Sequence, residues 1–129
     1  MSDNLDKIRT LHESLFGEFS SDKIIEILPI CIHEIDLNGK LTKMNKAGLC
    51  MLNEDESSVI GENYLTYVSE DDSPRISKLL QDSINDGLTK NFTFKSTNGT
   101  SFISCFAPLI KDGKVVKIVG YTQDPKCII

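Results

Sequence analysis

Cys31 and His33 stand two residues apart in a segment that is apolar on both alternate faces, so in a strand a thiol and an imidazole share one face. Cys105 could reach that face from another strand and make a metal site conceivable. The four cysteines, Cys31, Cys50, Cys105 and Cys127, are irregularly spaced, without a Cys-x-x-Cys pair or a histidine at ligand spacing. They are therefore read as reduced thiols, and no metal is assigned. Ser73, His33 and the aspartates form no nucleophile elbow, and no glycine-rich phosphate loop is present. The acidic run Glu70-Asp71-Asp72 reads as a solvated helix start, where negative charge complements the helix dipole. An enzyme would need a buried carboxylate base, and Glu34 is the acidic residue that sits in an apolar strand context. No catalytic residue is assigned, and the chain is expected not to be an enzyme.

These groups must be positioned by a chain of 129 residues, enough for one domain that buries roughly two thirds of its extended surface. The formal net charge of −5 provides no basic stripe for a phosphate backbone, so nucleic-acid binding is not expected. No apolar run approaches the ~20 residues of a membrane span. The start of the chain lacks the basic-then-apolar pattern of a secretory signal, so the expected location is the cytoplasm, without a membrane partner. Asn91-Phe92-Thr93 and Asn98-Gly99-Thr100 match the glycosylation pattern but read as a strand edge and a turn.

Asn38-Gly39, Asn98-Gly99 and Asp112-Gly113 each lie between segments rich in apolar and β-branched residues. Such dipeptides readily take the positive φ angles of a type I′ turn and so predict three hairpins. Strands are predicted over 30–36, 41–44, 89–95, 101–110 and 115–122. Between 45 and 87 the strand pattern disappears. Short helices are predicted over 47–52 and 54–60, an apolar turn follows at Tyr64, Leu65 and Val68, and a longer helix covers 75–85. Ile76, Leu79, Leu80 and Ile84 form that helix's buried stripe, Pro74 suits its first turn and Gly87 ends it. Upstream, Leu5, Ile8, His12, Leu15 and Phe19 make an amphipathic stripe at helical spacing over 3–19. A helix of that length needs an apolar surface to lie on, either the domain or a second copy.

The order of helix, two strands, several short helices and three strands, with turns at these positions, resembles the PAS sensory domain family. The matching residues are Asp36-Leu37-Asn38-Gly39, Leu41, Met44-Asn45, Ala47 and Ile60-Gly61. They continue with Glu70-Asp71-Asp72, Phe92 to Lys95, Asn98-Gly99, Asp112-Gly113, Val119-Gly120 and Thr122-Gln123-Asp124. The resemblance implies an α+β fold: a five-stranded antiparallel sheet cupping short helices inserted between its second and third strands. It divides the chain into a flanking segment 1–28, a sensor domain 29–124 and a tail 125–129. A small ligand or cofactor is often held between sheet and helices in this family, and many members dimerise through an N-terminal helix. Leu5, Ile8, His12, Leu15 and Phe19 are accordingly the dimer-interface candidates.

The cofactor is left unknown. Flavin photoreceptors of the LOV type carry Gly-x-Asn-Cys-Arg-Phe where this chain has Gly61-Glu62-Asn63-Tyr64-Leu65-Thr66, so Tyr64 replaces the adduct-forming cysteine. Haem-sensing relatives usually carry the iron ligand on the long helix, and no histidine lies between Arg75 and Gly87. His33 is read instead as a structural imidazole hydrogen-bonded across the sheet. The pocket candidates are Ile32, Asn45, Met51, Leu52, Ile60, Tyr64, Leu65, Val68, Leu80, Phe92, Phe94 and Phe106, suited to a small apolar or aromatic ligand, although each could simply fill the core. In relatives a helix leading to an output domain commonly follows the position of Asp124, whereas Pro125-Lys126-Cys127 follows here. The expectation is a homodimeric sensor signalling to a separate partner protein; the alternative is a ligand-free dimerisation or interaction module.

Overall fold

A computed structural model describes Glu26 and residues 28–124 of the chain. The amphipathic stripe at 3–19 and the tail at 125–129 lie outside the described residues. Strand β1 (Cys31–Ile35) turns into β2 (Leu41–Met44), and three helices follow: α1 (Lys46–Leu52), α2 (Glu56–Val59) and α3 (Ser73–Asp86), with a 3-10 turn (Tyr64–Tyr67) before the last. Strands β3 (Lys90–Lys95), β4 (Ser101–Lys111) and β5 (Lys114–Gln123) complete a five-stranded antiparallel sheet in the order β2-β1-β5-β4-β3. No described helix is long and apolar enough to cross a membrane.

The three hairpins form where the dipeptides place them, with one difference in turn chemistry. Asp112 and Gly113 both have positive φ (53° and 76°), as a type I′ turn requires. At the other two turns only the glycine does, Gly39 at 84° and Gly99 at 87°. There side chains stabilise the backbone instead: Asp36 Oδ1 accepts from the Asn38 and Lys40 amides at 2.9 Å, and Asn98 Oδ1 accepts from Thr100 N at 3.0 Å.

Both sheet faces are apolar. Ile35, Phe92, Phe94, Phe102, Phe106 and Ile118 face α1, α2 and α3 in the larger core. Ile30, Ile32, Cys105, Ala107, Val119 and Tyr121 form a second buried cluster on the opposite face. On α3, Ile76 and Leu80 are buried as the stripe predicts, and Ser83 joins them because its hydroxyl donates to the Leu88 carbonyl at 2.8 Å. The α3 start is not merely solvated. Asp72 Oδ2 accepts from Lys95 N (2.7 Å), Arg75 Nη2 donates to the Thr93 carbonyl (2.7 Å), and Ser69 N donates to the Lys95 carbonyl (2.7 Å), so the outer edge of β3 is occupied near its end. At the other edge Leu41 N donates to Glu62 O at 2.8 Å, and Gly61 N donates to Leu41 O at 2.7 Å.

Asn45 joins the two layers. Its Oδ1 accepts from Ile32 N (2.9 Å) and caps α1 through Gly48 N (3.1 Å), while Nδ2 donates to the Ile30 carbonyl (2.8 Å). Gly48 then lets α1 lie close on β1: a Cβ there would stand 2.7 Å from Cys31 Sγ and 2.6 Å from Met44 Cγ. Asn45→Ala leaves buried backbone groups of β1 unpaired and is expected to cost about 2–4 kcal/mol of unfolding free energy in a urea titration. An unchanged midpoint would show that Asn45 is replaceable.

Candidate functional site

Strand register decides which side chains meet beneath the helices. Cys31 pairs with Thr122 and Thr122 with Ser104, while His33 pairs with Gly120 and Gly120 with Phe106. Side chains in a row across a sheet share a face, so a polar row, Cys31–Thr122–Ser104, runs beside a row centred on Gly120. A Cβ on Gly120 would lie 2.1 Å from His33 Nε2. The glycine thus leaves the space in which the imidazole rests on the sheet. From the other side Tyr64 stacks on that imidazole, with ring centroids 5.1 Å apart and planes at 19°, and meets Phe106 edge-on at 5.4 Å.

The sequence 61–66 places Tyr64 there. Asn63 Oδ1 caps the 3-10 turn by accepting from Leu65 N (2.9 Å), and Tyr64 N donates to Gly39 O (2.9 Å), which aims the phenol inward. Next to this stack is a cavity of about 40 Å³. Its polar lining is Cys31, His33, Tyr64, Ser96 and Thr122; Leu41, Met44, Met51, Leu52, Phe94 and Phe102 supply the apolar part, with Gly48 and Tyr67 at its margin. Met51, Leu52 and Tyr67 are only half-buried, so these lining residues also reach solvent. A single water needs about 10–15 Å³ by this measure, so the space suits a few small groups rather than a large planar cofactor.

Hydrogen bonding in this cluster is incomplete. His33 Nδ1 and Cys31 Sγ share a bond of 3.4 Å. If the thiol donates, the proton on Nε2 has no acceptor; if Nδ1–H donates, Nε2 is a bare acceptor. Either way Nε2 is buried without a partner; the Tyr64 hydroxyl makes no hydrogen bond of ordinary geometry, although Ser104 and Thr122 lie close enough to moderate the upward shift of the phenol. Ser104 Oγ donates to the Tyr121 carbonyl (2.9 Å) and shares a 2.8 Å bond with Thr122 Oγ1, so the nearby hydroxyls are engaged with each other. Burial pushes the Cys31 thiol up to about 12, an unreactive thiol, and raises the Tyr64 phenol as well. Burial also lowers His33 to about 4, so the ring is neutral near pH 7.

Of the pocket candidates, Met51, Leu52, Tyr64 and Phe94 line this cavity. Val68, Leu80, Phe92 and Phe106 are buried in the surrounding core, and Leu65 packs against its margin. Asn45 is committed to its backbone bonds. Two require correction. Ile32 lies on the opposite sheet face with Tyr121 and Val119, and Ile60 is exposed (37%) at the end of α2. Cys105 also belongs to that opposite face, so it cannot join Cys31 and His33; the described residues contain no cluster of three or more His, Cys, Asp and Glu able to hold a metal. Glu34 points away from the cavity too, paired with Lys117 Nζ at 3.0 Å. His33 bonds along its own strand to Cys31 rather than across the sheet.

No protein-family model matches the sequence, and no curated protein matches it significantly. Solved structures do match. The PAS domain of a protein from Colwellia psychrerythraea superposes with a TM-score of 0.68 at 19% identity, covering 79% of this chain and 91% of that one. The chain has a PAS fold. The PAS domain, in complex with ethanol, of a LuxR-family transcriptional regulator from Burkholderia thailandensis has a TM-score of 0.65 at 14% identity, over 84% of this chain and 100% of that one. The PAS domain of the quorum-sensing receptor RpfR from Cronobacter turicensis, in complex with BDSF, gives 0.62 at 16% identity, over 76% and 95%. At these identities the likeness concerns the PAS fold alone.

Two measurements probe the stack within this PAS fold. Gly120→Ala drives a methyl into the imidazole and is expected to destabilise by about 1–3 kcal/mol. His33→Ala in the same chain should recover part of that loss, and additive effects in the double variant would deny the contact. The second is pH. The folded ring takes its proton near pH 4 and the unfolded one near 6.5, so His33 costs nothing above pH 7, and its penalty grows as pH falls between those values to about 3 kcal/mol. His33→Gln is expected to flatten the fall in unfolding free energy between pH 7 and 4 by that order. Equal slopes for the two proteins would show that the ring titrates normally.

Proposed function

We propose that this chain is a sensor domain that binds a small ligand in the cavity between α1 and the sheet, and that it signals rather than catalyses. The observation that carries this reading is the pair of unpartnered buried atoms, His33 Nε2 and Tyr64 Oη, on residues that line one cavity. Buried polar groups are ordinarily satisfied, so two orphans beside an open space call for a partner from outside the chain. The PAS neighbours carrying ethanol and BDSF add support, because their ligands belong to domains of the same fold. Ligand contact would shift Tyr64 and α1, both seated on β1, and through β1 the sheet. The reading includes a homodimer formed through Leu5, Ile8, His12, Leu15 and Phe19, whose geometry passes the signal to a separate protein in the cytoplasm. A ligand-free interaction module is the competing reading, favoured by the small volume of the cavity.

Native mass spectrometry of freshly purified protein beside a denatured control tests both parts. A dimer with extra mass that is lost on denaturation is the expected result. A dimer without extra mass favours the interaction module, and a monomer removes the dimeric part of the reading.

A further inference from the structure

None of the described residues lining the cavity is Asp, Glu, Lys or Arg, and the burial of His33 keeps its imidazole neutral near pH 7. An ion entering this space would lose its hydration and meet no opposite charge among the described lining residues, so its desolvation would go uncompensated. The two orphan atoms favour a particular kind of neutral group. Nε2 is a donor or an acceptor according to which partner donates in the Cys31–His33 bond, and the Tyr64 hydroxyl can be either. A hydroxyl, with one proton and two lone pairs, can meet Nε2 in either state while the Tyr64 hydroxyl donates to it; a carboxylate meets only a protonated Nε2 and an ammonium only a bare one.

The remainder of the wall suits a short apolar body. Met44 and Met51 border the cavity, and methionine is unbranched and polarizable, so it adapts to a guest. The half-buried Met51, Leu52 and Tyr67 are lining residues that also reach solvent. We infer that the ligand is a small uncharged molecule with a hydroxyl group and a short apolar body, its oxygen held between His33 and Tyr64 and its carbons against Met44 and Met51. This rests on the sensor reading above and narrows it to a chemical class.

Methyl NMR of the whole chain with labelled methionine provides the test, because its 3 methionines are Met1, Met44 and Met51. Propan-2-ol, isopropylammonium and acetate are of similar size and differ in charge. At pH 7, propan-2-ol is expected to move the Met44 and Met51 methyl signals to saturation, and the two ions are expected to leave them in place. Tyr64→Phe should weaken the alcohol by about three- to tenfold, the equivalent of one hydrogen bond. Saturation by either ion would overturn the chemical class and leave the sensor reading standing. No saturating shift with any of the three would overturn the inference and the cavity reading together. An alcohol affinity unchanged in a folded Tyr64→Phe protein would overturn the anchoring by the phenol.

Discussion

The position of the cavity depends on a side chain that is missing. At Gly120 the sheet has a gap in the row between His33 and Phe106, and the imidazole fills it. Only with the ring lying flat can Tyr64 stack over it, and only with Tyr64 there can Phe94 and Phe106 close around the phenol. Replacing Gly120 by any other residue would lift the imidazole and with it the whole aromatic assembly. The cost of the arrangement is polar: a buried histidine that stays uncharged near pH 7 with Nε2 unpartnered, beside a tyrosine hydroxyl that makes no hydrogen bond of ordinary geometry.

Much of the architecture was legible in the sequence because its signals are local. The Asn-Gly and Asp-Gly dipeptides mark the hairpins, the loss of strand pattern between them marks the helical insertion, and the stripe of α3 marks its buried side. The site was less legible because it depends on parity. Strand β1 is buried at every position, so its composition does not say whether Ile32 or His33 faces the helices. That choice comes from pairing with β5, and it moved Ile32 and Cys105 to the far face while bringing Cys31 and His33 to the cavity. One local signal was present: a glycine within the β-branched run of β5 suggests close approach by another group. Phe102 and Thr122 reach the cavity through cross-strand register and Ser96 through its bridge to Val68, and none had a signal of its own.

The role of Asn45 likewise exceeds what its position suggests. At the start of α1 an asparagine reads as a helix cap, and it is one, but the same amide also satisfies both an N–H and a C=O of β1. One side chain therefore sets the distance between the helix that walls the cavity and the strand that floors it. With Gly48 removing bulk from the same contact, α1 lies close on β1 while its Leu49, Met51 and Leu52 pack against the core.

The bonds from Ser69, Asp72 and Arg75 to β3, and those from Gly61 and Glu62 to β2, bear on how copies of this chain can meet. A sheet normally grows by accepting another strand along its edge, with main-chain groups recognising any extended backbone that arrives. Here a strand arriving at β3 would first have to displace a carboxylate, a guanidinium and one backbone bond, and a strand arriving at β2 two backbone bonds. Association is thereby steered toward side-chain surfaces, where the identity of the partner is read from its shape and composition. Edges occupied at these positions disfavour indiscriminate strand addition there.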